Sequence, residues 1–138
     1  MQDSRLDQFI KRIVAQRDCL NFAGELIASS PGSIIELGLG NGRTYDHLRE
    51  VFPLRKIYVF ERDVAAYPDC TPPAQYLLEG DFRDTLPNAH KIIGSSVALI
   101  HGDFGSAYPE RDAHLARWLA NAFNALLKDG TLLVTDRP

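Results

Sequence analysis

The chain has 138 residues, 45% hydrophobic and 24% charged, a balance that suits one globular domain and excludes disordered, collagen-like and coiled-coil rod compositions. Fifteen basic against eighteen acidic residues leave a net charge of −3, which argues against a nucleic-acid partner held through its phosphates. Cys19 and Cys70 stand far apart with no CxxC, so they fit neither a zinc spacing nor a disulfide framework and are expected as free thiols.

Met1 to Arg5 has no apolar run behind a basic head, and no stretch approaches the roughly 20 apolar residues that span a bilayer. The expectation is a cytoplasmic protein without a membrane partner. It reads as a single domain over 1–138, with an N-terminal helical segment in 1–30 and an α/β core in 31–138.

Leu6, Phe9, Ile10, Ile13 and Val14 recur at three and four and share one helical face. Leu20, Ala23, Leu26 and Ile27 continue the pattern out of phase, which predicts two helices or a bend near Asn21. Ser29 to Gly32 closes the segment. Five short apolar runs then follow, at 33–37, 56–60, 75–78, 97–100 and 131–134. None alternates cleanly with polar residues, as expected for buried strands of a parallel sheet covered on both faces.

Helical patterns separate the runs. Leu48, Val51 and Phe52 precede the breaker Pro53. Pro87 suits the first turn of a helix through Ile92 and Ile93, with Gly94 beyond its end. Leu115, Trp118, Leu119, Ala122, Phe123, Leu126 and Leu127 form one stripe from about Pro109 to a stop at Gly130, with Trp118 and Phe123 in the core. Residues 62–74, broken by Pro68, Pro72 and Pro73, leave room for a short helix only. Strand alternating with helix predicts a three-layer, doubly wound α/β fold whose ligand sits beyond the carboxyl ends of the strands.

The first strand runs into Glu36-Leu37-Gly38-Leu39-Gly40-Asn41-Gly42-Arg43-Thr44. Three glycines in five positions let the backbone turn sharply and approach a ligand, and the helix that opens next offers its N–H groups to an anion. A dinucleotide fingerprint would need its third glycine at position 43, which is arginine. The pattern E-x-G-x-G-x-G resembles instead motif I of the class I S-adenosylmethionine-dependent methyltransferases, and residues 33–136 are similar to that family's core strand by strand, as in a small bacterial stand-alone domain.

The resemblance implies a mostly parallel sheet of order 3-2-1-4-5 and S-adenosylmethionine as cofactor. It implies that Gly38, Leu39, Gly40, Asn41 and Gly42 wrap the cofactor, that Arg43 and Thr44 assist at its carboxylate, and that Glu36 meets its ammonium. A solvated Arg43 is the competing reading. Glu61, 21 residues after Gly40, would accept both ribose hydroxyls, unless it is a surface salt-bridging residue. Arg62 would flank the adenine. Asp81 would face the adenine amino group, or cap the next helix. Phe82 would cover the ring, or pack as ordinary core.

The fourth strand ends in Ile100-His101-Gly102-Asp103, beside the transferred methyl. His101 and Asp103 are the candidate catalytic groups, able to deprotonate an acceptor. The alternative is that His101 lines the cofactor and Asp103 caps a loop. The [D/N]-P-P-[Y/F] motif of amino-methylating nucleic-acid enzymes is absent, in keeping with the acidic charge. Asp103 and Asp136 resemble the metal-holding acids of the catechol-type branch, but Arg137 stands where that branch has an asparagine, so no metal is expected. Gln16-Arg17-Asp18 interrupts the apolar stripe and reads as a solvated helix face or a cover for the cofactor's carboxylate.

The expected activity is methyl transfer to a small-molecule O, N or S acceptor. A non-catalytic nucleoside-binding module is the first alternative, and a nicotinamide-dependent oxidoreductase the second. The family's last two strands, an antiparallel hairpin, have no counterpart in these 138 residues. The fifth strand is therefore expected to be an edge covered by a second copy of the chain or by further C-terminal sequence.

Overall fold

The computed structural model describes residues 2–102 and 109–135. Five parallel strands form one sheet in the order β3-β2-β1-β4-β5. They span Ser33–Leu37 (β1), Ile57–Glu61 (β2), Leu77–Glu79 (β3), Val97–Gly102 (β4) and Leu132–Thr135 (β5). The helices are Arg5–Leu26 (α1), Arg43–Val51 (α2), Phe82–Thr85 (α3), Ala89–Ile93 (α4) and Pro109–Ala122 (α5). All strand pairs are parallel, and none of the described helices is long and apolar enough to cross a membrane.

Neighbouring residues of a strand point to opposite faces, and this divides the core into two layers. Ile34, Ile57 and Val59 pack with Leu20, Ala23 and Ile27 from the end of α1 and its cap, and with Tyr45, Leu48 and Phe52 around α2. Ile35, Leu37, Tyr58 and Phe60 pack on the other face with Leu86, Ala89, Leu119, Phe123 and Leu126. Every residue of β1 is buried, which explains why this central strand shows no polar alternation.

Three local expectations are corrected. First, α1 is one continuous helix: Asn21, the suspected break, accepts a hydrogen bond from His47 Nε2 at 2.7 Å and joins α1 to α2. The change of phase has another cause. A 22-residue helix is ~33 Å long, whereas a five-residue strand covers only ~17 Å. The end of α1 feeds the start of β1, so its first half overhangs the carboxyl ends of the strands. Leu6, Phe9, Ile10, Ile13 and Val14 are accordingly 39–67% exposed, while Leu20 and Ala23 are buried.

Second, α5 ends at Ala122, and the stripe runs on through tight turns in which Phe123 and Leu126 remain buried. Trp118 is half-buried and packs at the edge of that layer. Third, the run at 75–78 begins as a 3-10 turn, and β3 is confined to Leu77–Glu79. The proline-rich stretch forms only one 3-10 turn, Pro68–Cys70.

Arg55 locks the end of α1 to the sheet. Its guanidinium donates to the carbonyl of Gly32 at 2.9 Å and to those of Ile27 and Ser30 at 2.6 and 2.7 Å. A helix end leaves carbonyls without partners, and a planar five-donor fork suits several at once. Arg55→Ala is expected to cost about 2–3 kcal/mol, because charge-assisted bonds to part-buried carbonyls are lost together. Arg55→Lys should recover less than half of that. Urea denaturation of the two variants checks both values.

Candidate active site

The parallel register places five strand ends on one edge, and the overhanging half of α1 rises above them. Between the two lies a cavity of about 940 Å³. Its walls include Glu36, Gly38, Leu39, Gly40, Asn41, Arg43 and Thr44 from the first strand-to-helix turn. Glu61 and Arg62 come from the end of β2, and Asp81 and Phe82 from the end of β3. Eleven of the expected site residues are thus brought together around one space.

The turn owes its shape to its glycines. Gly38, Gly40 and Gly42 have φ of 86°, 54° and 82°, in the region that side-chain-bearing residues avoid. A Cβ at Gly40 would meet nothing within 4 Å, so this glycine opens onto the cavity. Gly42 is different: a Cβ there would lie 2.4 Å from the carbonyl oxygen of Cys70 and 2.6 Å from its Cβ. Its place is a close backbone approach, and among the described residues it does not line the cavity. The structure shows Gly42 packed against the 3-10 turn at Cys70.

Glu61 fastens the turn. One carboxylate oxygen accepts from the N–H groups of Leu39 at 2.6 Å and Gly40 at 3.1 Å. The other accepts from the N–H groups of Arg62 at 2.9 Å and Asp63 at 3.3 Å. The N–H groups of Leu39 and Gly40 are therefore committed to Glu61. The N-terminus of α2, with Arg43 and Thr44 on the cavity wall, is the remaining anion-facing element of this turn.

Glu36 and His101 are register partners on β1 and β4, so their side chains lie on the same face of the sheet. His101 Nδ1 is 2.9 and 3.0 Å from the two Glu36 oxygens, and both side chains are 2% exposed. A carboxylate at that depth is tolerable only with a close donor, and the imidazole N–H supplies it. His101 Nε2 lies 3.4 Å from Gln16 Nε2 on α1. His101 is buried and is not among the described cavity-lining residues, whereas its partners Glu36 and Gln16 are. Asp103 lies outside the described residues, as do Asp136 and Arg137.

Asp81 does two things. Its side chain accepts from Arg83 N–H at 2.9 Å as the N-cap of α3, and it also lines the cavity. Phe82 is half-buried, its ring 6.4 Å from that of Phe60 in an edge-on pair, and it presents to the cavity as well.

Sequence reasoning missed one side of the site. Phe9, Arg12 and Ile13 on α1, Arg83 on α3 and Leu115 on α5 line the cavity too. The spacing of 9, 12, 13 and 16 is helical, and the stripe reads as core until the helix is compared in length with the strands. Of the segment Gln16-Arg17-Asp18, Gln16 and Arg17 reach the cavity wall, and Arg17 pairs with Asp18 at 3.2 Å.

Residues 3–138 match a family described as S-adenosyl-L-methionine methyltransferase. The chain belongs to this family. A crystal structure of an S-adenosyl-L-methionine methyltransferase from Silicibacter pomeroyi DSS-3 is similar over 97% of this chain and 82% of its own, with 46% identity and a TM-score of 0.88. Two structures of CalS11, described as a calicheamicin methyltransferase and as a TDP-rhamnose 3′-O-methyltransferase, share the fold at a TM-score of 0.61. Their identities are 20% and 23%, over 89% and 90% of this chain and 64% and 63% of theirs. A search of curated protein sequences finds no match. The methyltransferase thus takes its methyl group from S-adenosylmethionine, and its sheet order is that of a Rossmann-like methyltransferase.

Proposed function

We propose that this methyltransferase acts on a small-molecule O, N or S acceptor inside the cavity above β1, in the cytoplasm. The observation that carries the reading is the empty side of Gly40, which opens onto that cavity while Glu61 holds the N–H groups of Leu39 and Gly40. The cavity lies near the top of the ~300–1,000 Å³ that small-molecule clefts span, which leaves space for two reactants.

When bound, S-adenosylmethionine supplies an electrophilic methyl: the acceptor's lone pair forms the new bond to carbon as the carbon–sulfur bond breaks, its electron pair staying on sulfur as a neutral thioether. The chain's own residues hold and orient. Arg43, Thr44 and the N-terminus of α2 take the carboxylate of the methionine end. Glu36, kept in place by His101, takes the ammonium. Glu61 accepts the ribose hydroxyls by exchanging its two longer backbone bonds, those to Gly40 and Asp63. Asp81, Phe82 and Arg62 flank the adenine. The work of the site is alignment at near-attack distance and exclusion of water, and any acceptor proton leaves to solvent or to a base other than His101.

Titration calorimetry with S-adenosylhomocysteine tests the reading. Saturable binding in the micromolar range is expected, and the absence of heat would contradict it. His101→Asn separates positioning from base catalysis. A positioning His101 predicts a loss of about 2–4 kcal/mol in stability, since one partner of a buried pair is removed, together with at least tenfold weaker adenosylhomocysteine binding. A general base would add to these losses a fall in kcat measured at saturating cofactor, which a positioning residue would not cause.

A further inference from the structure

One titratable side chain on the cavity wall has no part in the roles above: His47, on the second turn of α2. It is half-buried, and its Nε2 donates to Asn21 Oδ1 on α1 at 2.7 Å. An amide oxygen only accepts, so this bond fixes which nitrogen carries the proton and holds the plane of the ring. Nδ1 has no hydrogen-bond partner among the described residues. A tie between two helices needs one nitrogen of the ring and no access to a cavity. His47 has both a second nitrogen to spare and a place on the cavity wall.

Its position on the helix decides what it can meet. At about 100° per residue, Arg43, Thr44 and His47 share an arc of α2 no wider than about 100°. All three line the cavity, while Tyr45 and Leu48 turn into the core. Arg17 and Leu20 line it from α1. The cavity is thus bordered by both helices that the His47–Asn21 bond joins. Glu61 occupies the N–H groups of Leu39 and Gly40, so an anion near Arg43 and Thr44 draws its donors from α2 and its side chains.

Building on the reading in which Arg43 and Thr44 take the cofactor's carboxylate, we infer that His47 is a further binding residue for that group and that Asn21 orients it. An imidazolium donates through both nitrogens: Nε2–H stays on Asn21, and Nδ1–H goes to the carboxylate. The neighbouring anion favours the charged ring, which makes the contact an ion pair as well as a hydrogen bond. The same contact sets specificity. It rewards a nucleoside that carries an α-carboxylate and gives nothing to one that lacks it.

The test subtracts that single group from the ligand. Calorimetry on the full chain compares S-adenosylhomocysteine with its decarboxylated analogue, which keeps the nucleoside, the sulfur and the ammonium. His47→Ala is expected to weaken adenosylhomocysteine about tenfold, the size of one charge-assisted hydrogen bond, and to leave the analogue within about twofold. His47→Asn, whose amide N–H group falls near the place of Nδ1, should recover part of the loss. Asn21→Ala frees the ring to turn, and should weaken adenosylhomocysteine about threefold while again sparing the analogue. A loss shared equally by the two ligands would make His47 a packing residue and overturn the inference, as would an unchanged affinity for adenosylhomocysteine in His47→Ala. Either result leaves the cofactor site itself standing, because the parent chain binds. A parent chain that binds neither ligand overturns the inference together with the cofactor reading on which it rests.

Discussion

Gly40→Val is expected to abolish S-adenosylhomocysteine binding, by at least a hundredfold, while the domain still folds. The site of the new side chain is open, so nothing in the core is displaced. A branched residue at φ of 54° carries strain of about 1–3 kcal/mol, which lowers Tm by roughly 5–10 °C in a domain of this size. The loss of binding has a different origin. Valine's methyl groups would occupy the space in which the ligand meets bare backbone, and the short bond from the neighbouring Leu39 N–H to Glu61 keeps that backbone from retreating. Calorimetry with adenosylhomocysteine, beside a thermal melt of the same sample, separates the two effects. Normal binding would place the pocket elsewhere.

Gly42→Ala is expected to do the reverse and strike the fold first. Its single methyl would sit 2.4 Å from the Cys70 carbonyl oxygen and 3.2 Å from the Ala66 Cβ. A carbonyl is fixed by the chain and cannot swing aside as a side-chain tip does. Overpacking of about 1–3 kcal/mol adds to about 1–2 kcal/mol for the left-handed φ of 82°. The sum, about 2–5 kcal/mol, should lower Tm by roughly 6–20 °C. Two glycines two positions apart thus fail in different ways, one by filling a cavity and one by colliding with the 3-10 turn behind it. A Gly42→Ala protein as stable as the parent would show that the Cys70 turn gives way.

The sheet was legible because a parallel strand buried on both faces is nearly all apolar, as 33–37 and 97–100 are. The glycine turn and the acid at the end of β2 were legible for a local reason: positive φ and close backbone approach select glycine, and the acid's distance along the chain follows from one strand–helix unit. Long-range facts were not. The pairing of Glu36 with His101 depends on the register of β1 against β4, and 65 residues separate the two in sequence. The ammonium-facing and base roles first read from these residues take no account of each other for that reason. The overhang of α1 needed a comparison of lengths: Phe9 and Ile13 have the periodicity of core residues, and only the shorter depth of the sheet turns them into cavity wall. The stripe of α5 likewise survives the end of its helix, since Phe123 and Leu126 stay buried in turns that keep their side chains inward.

The decisive measurement is a crystal structure of the methyltransferase grown with S-adenosylhomocysteine. The expected result is a nucleoside in the cavity beside Gly40, with ribose hydroxyls on Glu61, the carboxylate at Arg43 and Thr44, and the ammonium at Glu36. A bound nucleoside at some other surface, or a turn at 38–42 still closed on itself at saturating ligand, would contradict it.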